Sequence, residues 1–367
     1  MAAGHGRVMK ALVKESAGPS YVYKDVPVPT PRGDELLVKV GKVALCGSDI
    51  ALYQWNNVAQ KIATVPFTPG HEVVGEVMEM GEEVGEGFAV GDRVCVENHF
   101  FCGRCYQCTH DLRHICQNLD QFGHGRGTVY GGCSEFTIVP SRYAYRLTTD
   151  LDDARAAILE PCGVAHQALE EIDPKGETIL IQGCGPVGLF AIGLAKVMGA
   201  KRILAADIVA TRLQSAIKVG ANVTIDCTKQ SLRDIVMRET EGDGVGRLVE
   251  ATGAASMVNS CFSLLSLLKC VNFYCRKGGR VVLIGLPKEP IHIERPLEDV
   301  IFKSLTLKTV HGRKIFHTWS EVERIVHQNK FNMEPLVTHD FPLSQFEEAF
   351  RVLMSGEGCK ILLTPGS

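Results

Sequence analysis

The chain has 367 residues, of which 45% are hydrophobic and 22% charged, a composition typical of a globular protein with two domains. A formal net charge of −3 gives no general reason to bind nucleic acid or an anionic membrane. The N-terminus lacks the apolar run of a signal peptide, and no stretch is long and apolar enough to span a bilayer. We therefore expect a cytoplasmic protein, in which the 14 cysteines serve metal ions rather than disulfides.

The first third of the chain is rich in strand patterns. Short β-branched runs at 8–13, 22–26 and 35–43 are separated by prolines and glycine. Helical patterns are nearly absent before Pro140. The sequence therefore predicts an irregular, β-rich first domain.

Three potential zinc ligands follow strand patterns in this region. Cys46 ends one strand, while His71 and Glu72 begin another. Thiolate, imidazole and carboxylate are ligands that Zn²⁺ accepts, and a catalytic site uses three protein ligands and keeps one position open. Taken alone, such a cysteine or histidine is more often an ordinary core residue.

Four cysteines then occur close together, and they could form a closed tetrahedral zinc site: Cys102, Cys105, Cys108 and Cys116. A closed Cys₄ site has no room for a substrate, so we expect a structural role. The alternative is a zinc ribbon that binds nucleic acid. The surrounding residues lack the basic stripe that such a function needs.

A dinucleotide-binding pattern occupies the middle of the chain. A buried-strand pattern at 178–182 leads into a G-x-G-x-x-G turn formed by Gly183, Gly185 and Gly188, and a second strand ends at Asp207. The first glycine allows the tight turn, the second lets the backbone approach a pyrophosphate, and the third lets helix and strand pack closely. Asp207 can accept the ribose hydroxyls and would repel a 2′-phosphate, which favours NAD.

Strand and helix patterns alternate from there to residue 309. This alternation predicts a parallel, doubly wound sheet, and therefore an α/β fold. The expected elements are helices at 211–219, 232–240, 256–268, 319–328 and 343–354, and strands at 223–226, 247–250, 280–284 and 306–309. We expect the last run, 359–363, to pair back with the first domain.

These motifs occur in the order found in zinc-containing medium-chain dehydrogenases, which the chain resembles over essentially its whole length. Within that family it is most similar to the L-threonine 3-dehydrogenases, with sorbitol and other polyol dehydrogenases next. The threonine-type likeness lies in Tyr53–Trp55, Val300–Lys303 and His311–Phe316. The resemblance implies a β-rich, GroES-like catalytic domain at 1–155 and 311–367, and a Rossmann domain at 156–310.

The resemblance also implies roles for individual residues and for the whole protein. Cys46, His71 and Glu72 match the catalytic zinc shell, Glu160 matches an acid near that metal, and Ser48 matches the start of a proton relay. Further cofactor-binding positions are matched by Val187, Arg212, Ile284, Gly285, Leu286, Val310 and His311. The implied protein is an NAD-dependent homo-oligomer, a dimer or tetramer, with one catalytic and one structural zinc per chain.

The implied reaction is the oxidation of a small secondary alcohol, with L-threonine going to 2-amino-3-oxobutanoate. A polyol substrate, or a catalytically impaired relative, is the alternative. Two departures from the family bear on this. Ala51 stands where the relay histidine is expected, with His166 as a candidate replacement. The segment 263–276 makes the chain about ten residues longer than expected, either as a surface insertion or as an artefact of the coding sequence.

Overall fold

The β-rich and the alternating β/α parts of the sequence fold as two units in the computed structural model. The structure describes residues 6–254, 257, 275–287, 290–291, 293 and 295–366. Unit 1 comprises Met1–Glu160, Lys314–Glu323 and Val337–Ser367, and unit 2 comprises Pro161–Arg313 and Arg324–Leu336.

Unit 1 is built mainly of antiparallel strands, as its runs of alternating apolar residues predict. Its strands are β1 Val8–Val13, β2 Val22–Pro27, β3 Glu35–Ala44, β4 Glu72–Met80, β5 Arg93–Val96, β6 His99–Phe100, β7 Asp120–Gln121, β8 Phe136–Pro140, β9 Ala144–Arg146, β16 Val337–Pro342 and β17 Lys360–Thr364. Seven of them form one sheet in the order β16-β17-β3-β4-β5-β9, with β8 also paired to β3. Apolar side chains from β3, β4 and β17 fill the core of this unit.

The terminal strand closes this sheet. In β17, Leu362 pairs with Ala44 and Leu363 with Val43 of β3. This confirms the predicted return of the last apolar run to the first domain. The pairing also brings the start of β17 to the end of β3 at which the candidate metal ligands lie.

Unit 1 also contains helices, most of them short. Its helices are α1 Gly47–Gln54, α2 Ala59–Ile62, α3 Tyr106–Thr109, α4 Asp153–Ala157 and α10 Phe346–Ser355. Of these, α1, α2 and α3 are short helices before Pro140, where strands dominate as predicted, and α10 confirms the helix predicted at 343–354. In α1, the Asp49 carboxylate accepts a hydrogen bond from the backbone N–H of Cys46, which satisfies a donor at the helix start.

Unit 2 has the predicted doubly wound architecture, which confirms the α/β fold class. Its six parallel strands lie in the order β12-β11-β10-β13-β14-β15. They are β10 Thr178–Gln182, β11 Arg202–Asp207, β12 Val223–Asp226, β13 Val245–Glu250, β14 Cys275–Leu283 and β15 Thr306–Thr309. The helices are α5 Leu159–Ile172, α6 Pro186–Val197, α7 Ala210–Val219 and α8 Leu232–Glu239, and α9 His317–His327 runs from unit 1 into unit 2.

Two sequence predictions fall on a part of the chain that is not described. Most of the predicted helix at 256–268, and residues 263–274 of the additional segment, lie outside the described residues. Within the described residues, no helix has the length and apolar character needed to cross a membrane.

Candidate metal and cofactor sites

The pairing of β3 with β4 brings the three predicted catalytic zinc ligands together. Ala44, the last residue of β3, pairs with Glu72, the first residue of β4. Cys46 lies two residues beyond one strand, and His71 lies one residue before the other. The ligand atoms of Cys46, His71 and Glu72 lie within 4.8 Å of one another.

Two further charged side chains hold this cluster in place. The Asp49 Oδ1 atom lies 3.5 Å from the Nδ1 atom of His71, and Asp49 is 1% exposed. Lys360, also 1% exposed, places its Nζ atom 2.5 Å from Oε2 of Glu72 and donates to the carbonyl oxygen of Leu45 over 2.8 Å. A carboxylate next to a ligating histidine fixes the orientation of its ring.

Burial and charge set the protonation states before metal binds. Burial lowers the pKa of His71, but the Asp49 carboxylate opposes this and holds that pKa well above its ordinary value. Burial raises the pKa of the Cys46 thiol, while His71 lowers it, for a net value of about 7. The metal-free pair is therefore close to a thiolate and an imidazolium, and zinc must displace protons to bind.

The other two residues predicted at this site have different surroundings. Glu160 is buried at the start of α5. Burial is the main cause that raises the pKa of Glu72, and the charges of Cys46 and Glu160 add to it. Among the described residues, however, the group of close donor atoms consists of Cys46, His71 and Glu72 without Glu160. Ser48 is half-buried in the first turn of α1, next to Asp49.

The histidine that lies next to His71 in the structure is not the one that the sequence suggests. Ala51 is buried in α1 and carries no titratable group. His166 lies in unit 2, where its Nδ1 atom is 3.9 Å from Oε2 of Glu170, so its role in proton exit stays a prediction. A histidine that the sequence reasoning did not select, His124, has its ring centre 5.2 Å from that of His71.

A second cluster of sulfur atoms is formed by four cysteines of one surface lobe, which we call the lobe cysteines: Cys102, Cys105, Cys108 and Cys116. The Sγ atom of Cys105 lies 3.5 Å from that of Cys108 and 3.7 Å from that of Cys116, and all four sulfurs lie within 4.8 Å of one another. These distances are far longer than a disulfide bond of about 2 Å. Backbone N–H groups of Arg104 and Cys105 lower the pKa of Cys102 to about 6, which favours the thiolate that metals bind.

Both clusters have the donor types and spacing that zinc requires. Four thiol groups at these separations suit a closed tetrahedral site. One thiol, one imidazole and one carboxylate suit a site with an open position. The residues present therefore fit one structural and one catalytic zinc ion.

The glycine turn of unit 2 has the close approaches that its sequence predicts. Gly183 has a φ of +91°, and a Cβ atom there would lie 2.8 Å from the Thr252 side chain. A Cβ on Gly188 would lie 1.8 Å from the Gly183 carbonyl oxygen. A Cβ on Gly185 would meet nothing within 4 Å, so the backbone there faces open space at the N-terminus of α6, where a phosphate can approach.

Asp207, at the end of β11, is bound to this turn. Its Oδ2 atom accepts from the backbone N–H of Cys184 over 2.6 Å, and Oδ1 accepts from those of Ile208 and Val209 over 2.7 and 2.9 Å. Asp207 is 8% exposed. The carboxylate therefore holds the turn in shape while retaining one lone-pair site, on Oδ2, for a ribose hydroxyl.

The remaining cofactor candidates follow the carboxyl ends of neighbouring strands or lie next to them. Ile284, Gly285 and Leu286 follow β14, and Val310 and His311 follow β15, while Val187 is in the first turn of α6 and Arg212 is in α7. The Val310 N–H donates to the Leu283 carbonyl over 3.0 Å. The carboxyl ends of parallel strands share one edge of a sheet, so these residues line the edge where such folds bind ligands.

Comparisons with known proteins agree with this arrangement. Residues 32–149 match the alcohol dehydrogenase GroES-like domain, and residues 186–328 match the zinc-binding dehydrogenase domain. The L-threonine 3-dehydrogenase of Coxiella burnetii (strain RSA 493 / Nine Mile phase I) is 37% identical over 358 residues, which is 97% of this chain and 99% of that protein. This chain belongs to the zinc-binding dehydrogenase family.

Solved structures of the family share the fold of this zinc dehydrogenase. A zinc-binding dehydrogenase from Sinorhizobium meliloti 1021, bound to NADP, is 28% identical with a TM-score of 0.85, and it covers 98% of this chain and 100% of its own. An alcohol dehydrogenase from E. coli CFT073, complexed with NADH, is 26% identical with the same TM-score and coverages. The protein is thus an enzyme of the zinc-dependent alcohol dehydrogenase family.

Sequence reasoning missed three side chains that contact the catalytic cluster. Asp49 was visible as an acid three residues after Cys46, a spacing that indicates a helix cap. The glycines on either side of His124 indicate a tightly constrained loop. For Lys360 no local signal exists, because its partner Glu72 lies 288 residues away in the sequence.

Proposed function

We propose that this zinc dehydrogenase oxidises L-threonine at its 3-hydroxyl to 2-amino-3-oxobutanoate, with NAD as the hydride acceptor. The observation that carries the choice of substrate is the 37% identity to an L-threonine 3-dehydrogenase across 97% of the chain. The cluster of Cys46, His71 and Glu72 supports an alcohol oxidation at a catalytic metal.

We assign the metal chemistry to residues 1–155 and 311–367. Cys46, His71 and Glu72 would hold a zinc ion that polarises the substrate hydroxyl and lowers its pKa. Lys360 and Asp49 keep Glu72 and His71 in position. The four-cysteine lobe would hold a second, structural ion.

The hydroxyl proton must leave as the hydride is transferred. We assign Ser48 as the first acceptor of this proton, and Glu160 as an acidic residue of the site beside the metal ligands. Ala51 cannot continue the relay, so the proton passes on through water, the cofactor ribose or another histidine.

We assign cofactor binding to residues 156–310, which include Val310, and to the adjacent His311. Asp207 supports NAD over NADP, because a buried carboxylate repels a 2′-phosphate. The bound nicotinamide supplies the hydride chemistry, and the glycine turn and the first turn of α6 orient its pyrophosphate.

We also propose that the enzyme is a homo-oligomer. Strand β15 lies at the edge of the described sheet, and all four of its residues are exposed. Ile301 and Phe302 nearby are 62% and 64% exposed. An unpaired edge beside apolar side chains favours pairing with a second copy. Light scattering should give the mass of a dimer or tetramer, and a monomer would contradict this assignment.

A substrate panel tests the proposed reaction. Zinc-loaded enzyme should oxidise L-threonine with a higher kcat/KM than sorbitol, xylitol or 2,3-butanediol, and should prefer NAD⁺ to NADP⁺. A polyol with a higher kcat/KM than L-threonine would establish the alternative substrate class instead. If no alcohol is oxidised by zinc-replete protein, the chain is a catalytically impaired member of the family.

A further inference from the structure

The loop at Gly123–Gly125 is built so tightly that a side chain is tolerated only at its centre. Gly123 and Gly125 have φ values of +77° and +72°. A Cβ on Gly123 would lie 2.6 Å from the Gly70 carbonyl oxygen, and one on Gly125 would lie 1.9 Å from that of Thr64. The loop therefore packs against the residue before His71 and presents His124 at a fixed position.

Backbone hydrogen bonds hold this loop from several sides. The His124 carbonyl accepts from the Thr64 N–H over 3.0 Å, and the Gly123 N–H donates to the Tyr130 carbonyl over 3.0 Å. His124 itself is 3% exposed, and its ring centre lies 5.2 Å from that of His71. A side chain held this firmly next to a metal ligand is preorganised for contact with whatever binds there.

The hydrogen bond of the His124 ring defines its tautomer. Nδ1 lies 3.0 Å from the carbonyl oxygen of Phe122. A carbonyl oxygen can only accept, so Nδ1 carries the proton, and Nε2 of the neutral ring is an acceptor. Across the described chain, the Phe122 carbonyl is the one hydrogen-bond partner of this ring. Nε2 has no protein partner within this described part and lies on a ring beside a candidate metal ligand, so it can accept a hydrogen bond from a ligand that binds there.

We propose that His124 is a substrate-contacting residue, whose Nε2 accepts a hydrogen bond from a donor group on the carbon next to the reacting one. In L-threonine this donor is the ammonium group. The proposal rests on the proposed function for the identity of the donor. It makes His124 a residue that determines specificity, because the enzyme would favour alcohols that carry such a donor over those that lack it.

Two substitutions separate the two ring nitrogens. In His124→Asn, the amide nitrogen can replace Nδ1 toward Phe122, but nothing replaces the acceptor at Nε2. In His124→Gln, the longer side chain can place an amide oxygen near the position of Nε2. The exposed His327→Asn is the matched control. Melting temperature and zinc content should show that each variant is folded and loaded, and His124→Leu serves if the Asn variant is not.

The substrate pair is L-threonine and 3-hydroxybutanoate, which differ in the ammonium group alone. We expect His124→Asn to lower kcat/KM for L-threonine by about ten- to a hundredfold, and to change that for 3-hydroxybutanoate only a few-fold. His124→Gln should retain most of the activity on L-threonine. Equal losses on both substrates would overturn the proposal.

If the unmodified enzyme does not oxidise L-threonine, the proposed function fails, and His124 is then tested with 2,3-butanediol and 2-butanol. The first carries a hydroxyl donor next to the reacting carbon, and the second does not. A selective loss on the diol in His124→Asn would support the contact. An equal loss on both alcohols would refute it.

Discussion

Lys360 forms a buried ion pair that joins the last strand of the chain to the candidate catalytic site. Its Nζ atom lies 2.5 Å from Oε2 of Glu72, and both side chains are at most 2% exposed. The substitution Lys360→Met keeps the length and apolar stem of the side chain but removes the charge. It should leave Glu72 as a buried carboxylate without its cation.

The cost of this change follows from the burial of the pair. Removing one partner of a buried ion pair costs about 3–5 kcal/mol, because the other charge stays desolvated. Burial holds the pKa of Glu72 well above its ordinary value although Lys360 lowers it, so the loss of Lys360 raises that pKa further and favours the protonated form. This limits the loss to about 3 kcal/mol, or about 6–12 °C in the melting temperature of a unit of this size.

Thermal unfolding of the metal-free protein is the assay, with Lys10→Met as the control. Lys10 forms an ion pair with Asp25 at a similar distance, 2.9 Å, but both side chains are about half exposed, so this change should shift the melting temperature little. Zinc bound by Glu72 would supply another cation, so the loss should be smaller in zinc-loaded protein. Equal melting temperatures for Lys360→Met and the unmodified metal-free protein would refute the reasoning.

Three further predictions concern the metals and the cofactor. Cys116→Ser should act mainly by lowering the melting temperature, whereas Cys46→Ser should abolish turnover and leave the fold intact. Zinc analysis that finds fewer than two ions per unmodified chain would contradict both expectations. Zinc affinity at the catalytic cluster should weaken as the pH falls below 7, because protons compete for the Cys46 thiolate, and calorimetry in two buffers should detect proton release on binding. Asp207→Asn should reduce the ratio of kcat/KM for NAD⁺ to that for NADP⁺. It should also lower the melting temperature, since three backbone N–H groups lose a charged acceptor. An unchanged kcat/KM ratio would argue against a role for Asp207 in cofactor choice.

Sites encoded by short spacings were predictable from the sequence. The four lobe cysteines lie within 15 residues, so a short loop is enough to bring their sulfurs together. The glycine turn and Asp207 belong to one βαβ unit, whose local geometry follows from strand, turn and helix signals. The pairing of Ala44 with Glu72 explains why Cys46 and His71 also meet, although nothing in either segment alone specifies that register.

Contacts that depend on tertiary packing could not be predicted in the same way. Lys360 reaches Glu72 because β17 pairs with β3, and a lysine in an apolar run carries no signal for its distant partner. His166 is the candidate for proton exit that the sequence offers, because it lies six residues after Glu160. The structure instead places His124 beside His71, through a loop whose close contacts form only in the folded unit.

The most direct test of the proposed reaction follows the hydrogen that leaves C3 of the substrate. Zinc-loaded enzyme is incubated with NAD⁺ and L-threonine deuterated at C3, and the reduced cofactor is analysed by mass spectrometry. Direct hydride transfer predicts that the reduced cofactor carries one deuterium and that 2-amino-3-oxobutanoate forms in equal amount. Zinc-replete enzyme that forms no deuterated cofactor from this substrate would contradict the proposal.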